Sequence, residues 1–213
     1  SEIISYRSKD NGQSWQRNFI KVHSDKYGNI PSMHMNEHGI TLKNGKFKGR
    51  LIRPSRYYSK SNQSEFYAEH YSNAIYSDDG GINWFSSNPF PAFGTGEGAI
   101  VELKNGILLY NSRRHFSNDG LNPRMRHIAK SNDGGINWDK LKVSKILPDG
   151  QQNSDYGLMG GLDKFSWKGK DIIVFTNIES LNEGRRNGVI WASFDEGKNW
   201  SIKKSIEEGG FKY

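Results

Sequence analysis

Cysteine is absent from the 213 residues, proline is scarce at 6, and no apolar run is long. Without cysteine the chain has no disulfide and no thiol chemistry, and its redox compartment stays open. No stretch approaches the roughly 20 consecutive apolar residues of a membrane-crossing helix, so no membrane span is expected. Sustained helical periodicity is also missing. Lysine and arginine outnumber aspartate and glutamate by 30 to 23, giving a net charge of +7. That balance favours an anionic partner through the field of the whole protein. The cations form no basic run and no nucleic-acid motif, so nucleic acid is set aside as a partner. The chain starts SEIISYRS, without Met or a signal sequence, and its residues do not reveal a compartment.

Aromatic residues make up 13% of the chain and glycine contributes 24 residues. Aromatics at that level argue against disorder even at a mean hydropathy of −0.81. Short apolar runs such as AIVEL, GILLYN and DIIVF lie between clusters of Gly, Asn and Asp. Such alternation predicts an all-β protein rich in turns.

One octapeptide is written almost twice, as SDDGGINW (77–84) and SNDGGINW (131–138). SKDNGQSW (8–15) and SFDEGKNW (193–200) share its frame, Ser-x-Asp-x-Gly-x-x-Trp. The frame has the chemistry of a turn. Asp accepts backbone N–H groups just ahead of it, Gly supplies a positive φ, and Ser adds a local bond. Trp packs its ring beneath the loop as the chain enters the next strand. The runs NAIYS, RHIAKS and VIWAS precede three copies as strands, so each copy is expected to join two antiparallel strands. Units of about four strands predict the blades of a β-propeller. The repeated aspartates are then turn staples, and catalysis must be sought elsewhere.

The frame resembles the Asp-box, or BNR repeat, of the sialidase (neuraminidase) family of six-bladed propellers. The box also occurs in other glycosidases, in sorting receptors and in non-catalytic propellers, so the segments between boxes carry the rest of the resemblance. GITLKNGKFKGRLIRP (39–54) resembles the family's second blade. GEGAIVELKNGILLYNSRRH (96–115) resembles the segment with the catalytic acid, placing that role on Glu97 and one substrate-binding arginine on Arg113. NIESLNEGRRNGVIWAS (177–193) resembles the segment with another such arginine, and Arg185 fits the spacing to the box serine better than Arg186. GGFKY (209–213) falls where the family has its nucleophilic tyrosine, here Tyr213. The family's Arg-Ile-Pro motif and its acid/base Asp have no counterpart before the first box, and the Arg-Pro at 53–54 belongs to the wrong blade. The resemblance implies a single partial sialidase-like propeller domain over 1–213, about four blades of the ring, cut at both ends and inactive alone.

What the resemblance implies chemically is an exo-α-sialidase that retains anomeric configuration and needs no cofactor. Its partners would be sialylated glycans, and the family suggests a secreted or periplasmic protein. Arg113 and Arg185 suit a sialoside carboxylate because a planar guanidinium donates two charge-assisted bonds to it. A neutral phenol avoids repulsion by that carboxylate, provided a base removes its proton; Tyr213 and Glu97 would take these roles. Glu102, inside AIVEL, reads as structural. Two rivals stand beside this expectation: a non-catalytic Asp-box propeller that binds carbohydrate or protein, and a glycosidase acting on another acidic sugar. HMNEH (34–38) matches a zinc-peptidase pattern that requires a helix, whereas Gly28, Pro31 and Gly39 predict a loop or short strand, so no metal is expected. FGTGEG (93–98) lacks the Lys-Ser/Thr of a phosphate loop. Asn62 and Asn199 fit glycosylation sequons. The tyrosine-rich stretch 56–72 fits an aglycone surface or an exposed blade edge equally, and Arg53 and Arg56 are candidate rim contacts.

Overall fold

The computed structural model describes residues 3–31, 37–58, 70–114, 124–150, 157–180 and 184–210. A first hairpin pairs β1 (Ile3–Arg7) with β2 (Gln16–His23). Four strands follow, β3 (Ile40–Thr41), β4 (Leu51–Tyr58), β5 (His70–Ser77) and β6 (Asn83–Ser86). The next four are β7 (Thr95–Glu102), β8 (Leu108–Arg114), β9 (Met125–Ser131) and β10 (Asp139–Pro148). The last four are β11 (Gly161–Trp167), β12 (Lys170–Ile178), β13 (Arg186–Ser193) and β14 (Ile202–Gly210). Within each set the strands lie side by side in chain order and pair antiparallel. The hairpin β1–β2 extends the first sheet through a parallel β2–β6 contact, Lys21 opposite Asn83 and His23 opposite Phe85. Successive four-stranded antiparallel sheets of this kind are the blades of a β-propeller, as the repeat predicts.

Every Ser-x-Asp-x-Gly-x-x-Trp turn links the two outer strands of its unit around a shared set of bonds. One bond varies: Gln13 and Lys198 donate to the Asp carbonyl where Ile82 and Ile136 donate to the Asp carboxylate. Asp79 accepts the N–H of Ile82 (3.0 Å) and of Asn83 (2.9 Å). Ser77 Oγ donates to Asp79 (2.9 Å) and accepts the N–H of Gly81 (2.8 Å). Asp10 accepts from Ser14 (2.9 Å), Asp133 from Asn137 (2.9 Å) and Asp195 from Asn199 (2.8 Å). Two consecutive residues take positive φ in every copy: Asn11–Gly12, Gly80–Gly81, Gly134–Gly135 and Glu196–Gly197. This is the backbone that matches a tight hairpin to the twist of its strands. A Cβ built on Gly12, Gly81, Gly135 or Gly197 would sit 3.5 to 3.8 Å from the ring of the following tryptophan. The indole therefore lies beneath the glycine, as the frame predicts.

Side chains alternate between the two faces of a strand, and β8 shows what that achieves. Leu108 and Tyr110 pack with Ile52, Phe90, Ile100 and Trp138 against the first sheet. Leu109 packs with Val101, Leu162, Phe175, Val189 and Trp191 against the third. The middle sheet thus contributes to two cores, where burying each large side chain contributes roughly 1.5–3 kcal/mol. Polar staples cross the same boundaries. Arg50 binds Asp78 through Nε (2.8 Å) and Nη2 (2.7 Å) and donates to Gly134 O (2.9 Å). Its guanidinium lies 4.3 Å from the rings of both Phe47 and Tyr76. Glu102 accepts the backbone N–H of Lys43 (2.7 Å) and Asn44 (2.9 Å), which ties β7 to the loop after β3. Glu196 does the same for the N–H of Lys104 (3.0 Å) one boundary further on.

Candidate active site

The inner strands β7 and β8 pair regularly from Glu102–Leu108 to Gly98–Ser112, and the ladder then resumes at Thr95–Arg114. Gly96 and Glu97 therefore face Arg113 alone. Two residues against one make a β-bulge, which bends the strand and re-aims a side chain. Local sequence explains its position. Gly98 has no room for a Cβ, which would meet the Tyr110 ring at 2.4 Å and Asn111 O at 2.9 Å. Ser72 of β5 grips the other side, donating from Oγ to Gly96 O (2.5 Å) and from N–H to Thr95 Oγ1 (2.9 Å). The outcome is a direct ion pair, Arg113 Nη1 to Glu97 Oε2.

A second layer lies under that pair. Arg126 of β9 donates to Asn111 Oδ1 (2.6 Å), Asp149 Oδ1 (2.7 Å) and Leu158 O (2.7 Å). Both members of the Arg126–Asp149 pair are fully buried. Burial holds Arg126 below the usual arginine range, with Asp149 beside it working in the opposite direction. Burial likewise pushes the Asp149 carboxyl up against the pull of Arg126. Arg114 and Arg124 flank these groups and are also buried. Glu37, just before β3, is raised by burial and feels the charge of Arg126. The Tyr110 hydroxyl, fully enclosed, is pushed well above the ordinary tyrosine range by burial.

Glu97 and Arg113 are thus brought into contact. Arg185 directly precedes β13 and is partly buried. Since Ile178, at the far end of β12, pairs with Gly188, Arg185 stands at the same strand ends of the third sheet as Arg113 does in the second. Arg186 is exposed and opens β13 opposite Gly210, so β14 returns to this end of the sheet. Tyr213 lies outside the described residues, as does Asn62. Of HMNEH only Glu37 and His38 are described; they form no helix, and His38 Nδ1 is 3.3 Å from Glu37.

The register also reveals residues that sequence motifs did not single out for this role. Leu51 pairs with the box serine Ser77, and Leu108 with the box serine Ser131. Counting on from these, LIRPSR (51–56) and LLYNSR (108–113) occupy the same places. Arg56 is therefore the counterpart of Arg113 in the preceding sheet and is similarly buried. The repeated hexapeptide was the available signal. Arg126 and Asp149 had none, because their partners are spread over β8, β9 and the approach to β11.

An Asp-box propeller with a carboxylate–arginine pair at one end of its inner strands is the class of protein that the fold and site define. The BNR repeat-like domain model matches residues 1–213, and the chain belongs to that family. The sialidase of Vibrio cholerae is 31% identical over 219 residues, covering 88% of this chain and 27% of the relative. The sialidase of Micromonospora viridifaciens is 30% identical over 176 residues, covering 82% of this chain and 25% of the relative. The chain thus spans about a quarter of the length of these curated relatives. Among solved structures, a leech intramolecular trans-sialidase complexed with 2,7-anhydro-Neu5Ac aligns with a TM-score of 0.72 at 22% identity. That alignment covers 100% of this chain and 30% of the leech chain, and it establishes the fold.

Proposed function

We propose that residues 1–213 form part of an exo-α-sialidase that releases terminal sialic acid from glycoconjugates with retention of configuration. The contact between Glu97 and Arg113 carries this reading, supported by family membership and by the sialidase relatives. Arg113 and Arg185 hold the substrate carboxylate by bidentate, charge-assisted bonds. Tyr213 attacks the anomeric carbon as the glycosidic bond breaks, and the aglycone leaves with a proton taken from solvent. Glu97 accepts the phenolic proton as the new bond forms. A water molecule then attacks the anomeric carbon, giving one proton up to solvent, while the tyrosine–sugar bond breaks and Glu97 returns its proton to the phenolate. Arg113 beside Glu97 orients the carboxylate.

The test uses the longest polypeptide that carries residues 1–213. It is expected to hydrolyse a fluorogenic α-sialoside, and Tyr213→Phe is expected to lower kcat on the order of 10³-fold, in line with loss of a group that reacts directly. Binding of the sialoside without turnover by the unmodified protein would sink the enzymatic proposal in favour of a lectin-like one.

A further inference from the structure

The proposed chemistry leaves one buried charge pair unused. Arg126 and Asp149 are both 0% exposed, and taking two charges out of water is expensive. Packing alone would be served as well by apolar side chains of similar volume. What the pair does touch is the backbone at Arg113. Asp149 Oδ2 accepts the N–H of Arg114 (2.6 Å), and Ser112 Oγ donates to the carbonyl of Arg113 (3.1 Å). These two atoms belong to the single peptide unit that joins Arg113 to Arg114. A peptide is planar, so holding both atoms sets ψ of Arg113 and the direction in which its side chain leaves the strand.

We infer that Asp149, locked by Arg126, is a positioning residue that aims the Arg113 guanidinium at Glu97 and at the substrate carboxylate; the inference rests on the role proposed for Arg113. Arg126 locks the carboxylate by binding it at 2.7 Å while holding Asn111 Oδ1 (2.6 Å), Asn111 O (3.2 Å) and Leu158 O (2.7 Å). The backbone closes around it on three sides. Asp149 N–H donates to Arg124 O (3.0 Å), Leu158 N–H to Asp149 O (3.2 Å) and Gly157 N–H to Arg114 O (2.9 Å). Gly157 is required there, because a Cβ at that position would lie 2.1 Å from Asp149 Oδ2. A carboxylate confined in this way has one place to sit, and the Arg114 N–H is what it meets.

The experiment crosses Asp149→Asn with Arg113→Ala in the longest polypeptide that carries residues 1–213. With a fluorogenic α-sialoside, Asp149→Asn lowers kcat/KM on the order of 10²-fold, the scale of a displaced reacting group. In the Arg113→Ala background the same change costs less than about twofold, because the residue acts through Arg113. Equal losses in both backgrounds overturn the inference, since a general weakening of the fold adds to any other lesion. Gly157→Ala pushes the carboxylate aside without altering charge and serves if Asp149→Asn does not fold; it gives the same non-additive pattern. If the unmodified protein turns over no sialoside, the proposed activity fails and the positioning role is decided crystallographically. A guanidinium of Arg113 displaced from Glu97 in Gly157→Ala then supports the role, and one left in place overturns it.

Discussion

The inner strand pairs of the second and third sheets share one plan and part company at one register position. In both, the second strand is anchored opposite a box serine, Leu108 opposite Ser131 and Ile173 opposite Ser193. Five residues further along stands Arg113 in one sheet and Ile178 in the other. The inner ladder differs in step with that exchange. β11 and β12 pair without interruption from Gly161–Thr176 to Trp167–Lys170, whereas β7 breaks register at Gly96–Glu97. At that place the strand of the regular ladder carries a buried isoleucine, and the strand of the broken one carries the arginine of an ion pair. The scaffold is set by the repeated turns, and the Glu97–Arg113 pair by one extra residue in one strand. The first sheet lies between the two. It has Arg56 at the arginine position, and among the described residues β3 pairs with β4 at Ile40 and Thr41, short of that arginine.

Substitutions at the paired positions give the largest expected contrast. Glu97→Gln and Arg113→Ala are each expected to lower kcat/KM on sialosides by roughly 10²–10⁴-fold per folded molecule. Ile178→Ala at the equivalent place is expected to cost about 2–5 kcal/mol of stability and to leave turnover per folded molecule intact. Denaturant titration beside steady-state kinetics separates the two, and a loss of turnover at Ile178 equal to that at Arg113 breaks the comparison. The bulge itself gives the next contrast. Gly98→Ala forces a Cβ to 2.4 Å from the Tyr110 ring and is expected to cost about 1–3 kcal/mol by overpacking. At Gly161, which starts the regular ladder, the nearest atom is the Thr176 hydroxyl at 2.8 Å. That hydroxyl can rotate, so Gly161→Ala is expected to cost less.

Much of this was legible beforehand because it is local. The four boxes specify hairpins through bonds that span at most four residues, such as Ser14 to Asp10 and Asn83 to Asp79. Their spacing then fixes how many strands lie between them. The bulge was not legible, since GEGAIVE reads as ordinary alternation until its partner strand is laid beside it. Glu97 and Arg113 were singled out through family resemblance, not from the residues alone, and their contact was not foreseen. Arg126 and Asp149 are 23 residues apart and are tied to Asn111, Arg114 and Leu158, a set that only tertiary packing assembles. The positive φ of Glu196 is a further departure: a position filled by Asn or Gly in the other boxes is taken by a residue whose carboxylate caps Lys104.

The boxes also differ in burial, which sharpens the contrast between turn and packing. Gly12 and Gly135 share a φ of +88°, so an alanine is strained equally at both. Around Gly12 the nearest atom to an added Cβ is 3.8 Å away, whereas at Gly135 it is Ile52 Cδ1 at 2.2 Å. Gly12→Ala is therefore expected to cost about 1 kcal/mol from backbone strain, and Gly135→Ala about 1 kcal/mol more from overpacking. Equal midpoints for the two variants would show that the isoleucine moves aside freely.

The smallest effect concerns pH, where box carboxylates behave unlike the buried pair. Asp79 is held down from the usual 3.8 to about 2 by the N–H of Asn83 and by the Asn83 side chain. Asp195 is held at about 2 by Asn199 in the same way, and Asp10 at about 2 by Ser14. A carboxylate depressed on folding contributes stability that is fully present above its unfolded value. That contribution fades as pH falls through about 4 towards 2, where the folded group finally takes up its proton. These turns are open to solvent, so each contribution is modest, and high salt weakens it further. Asp79→Asn removes the titration while retaining an acceptor for the Asn83 N–H. The fall in Tm between about pH 4 and pH 2 is expected to be shallower in that variant than in the unmodified chain. Parallel curves would mean that the acid sensitivity does not lie in this turn.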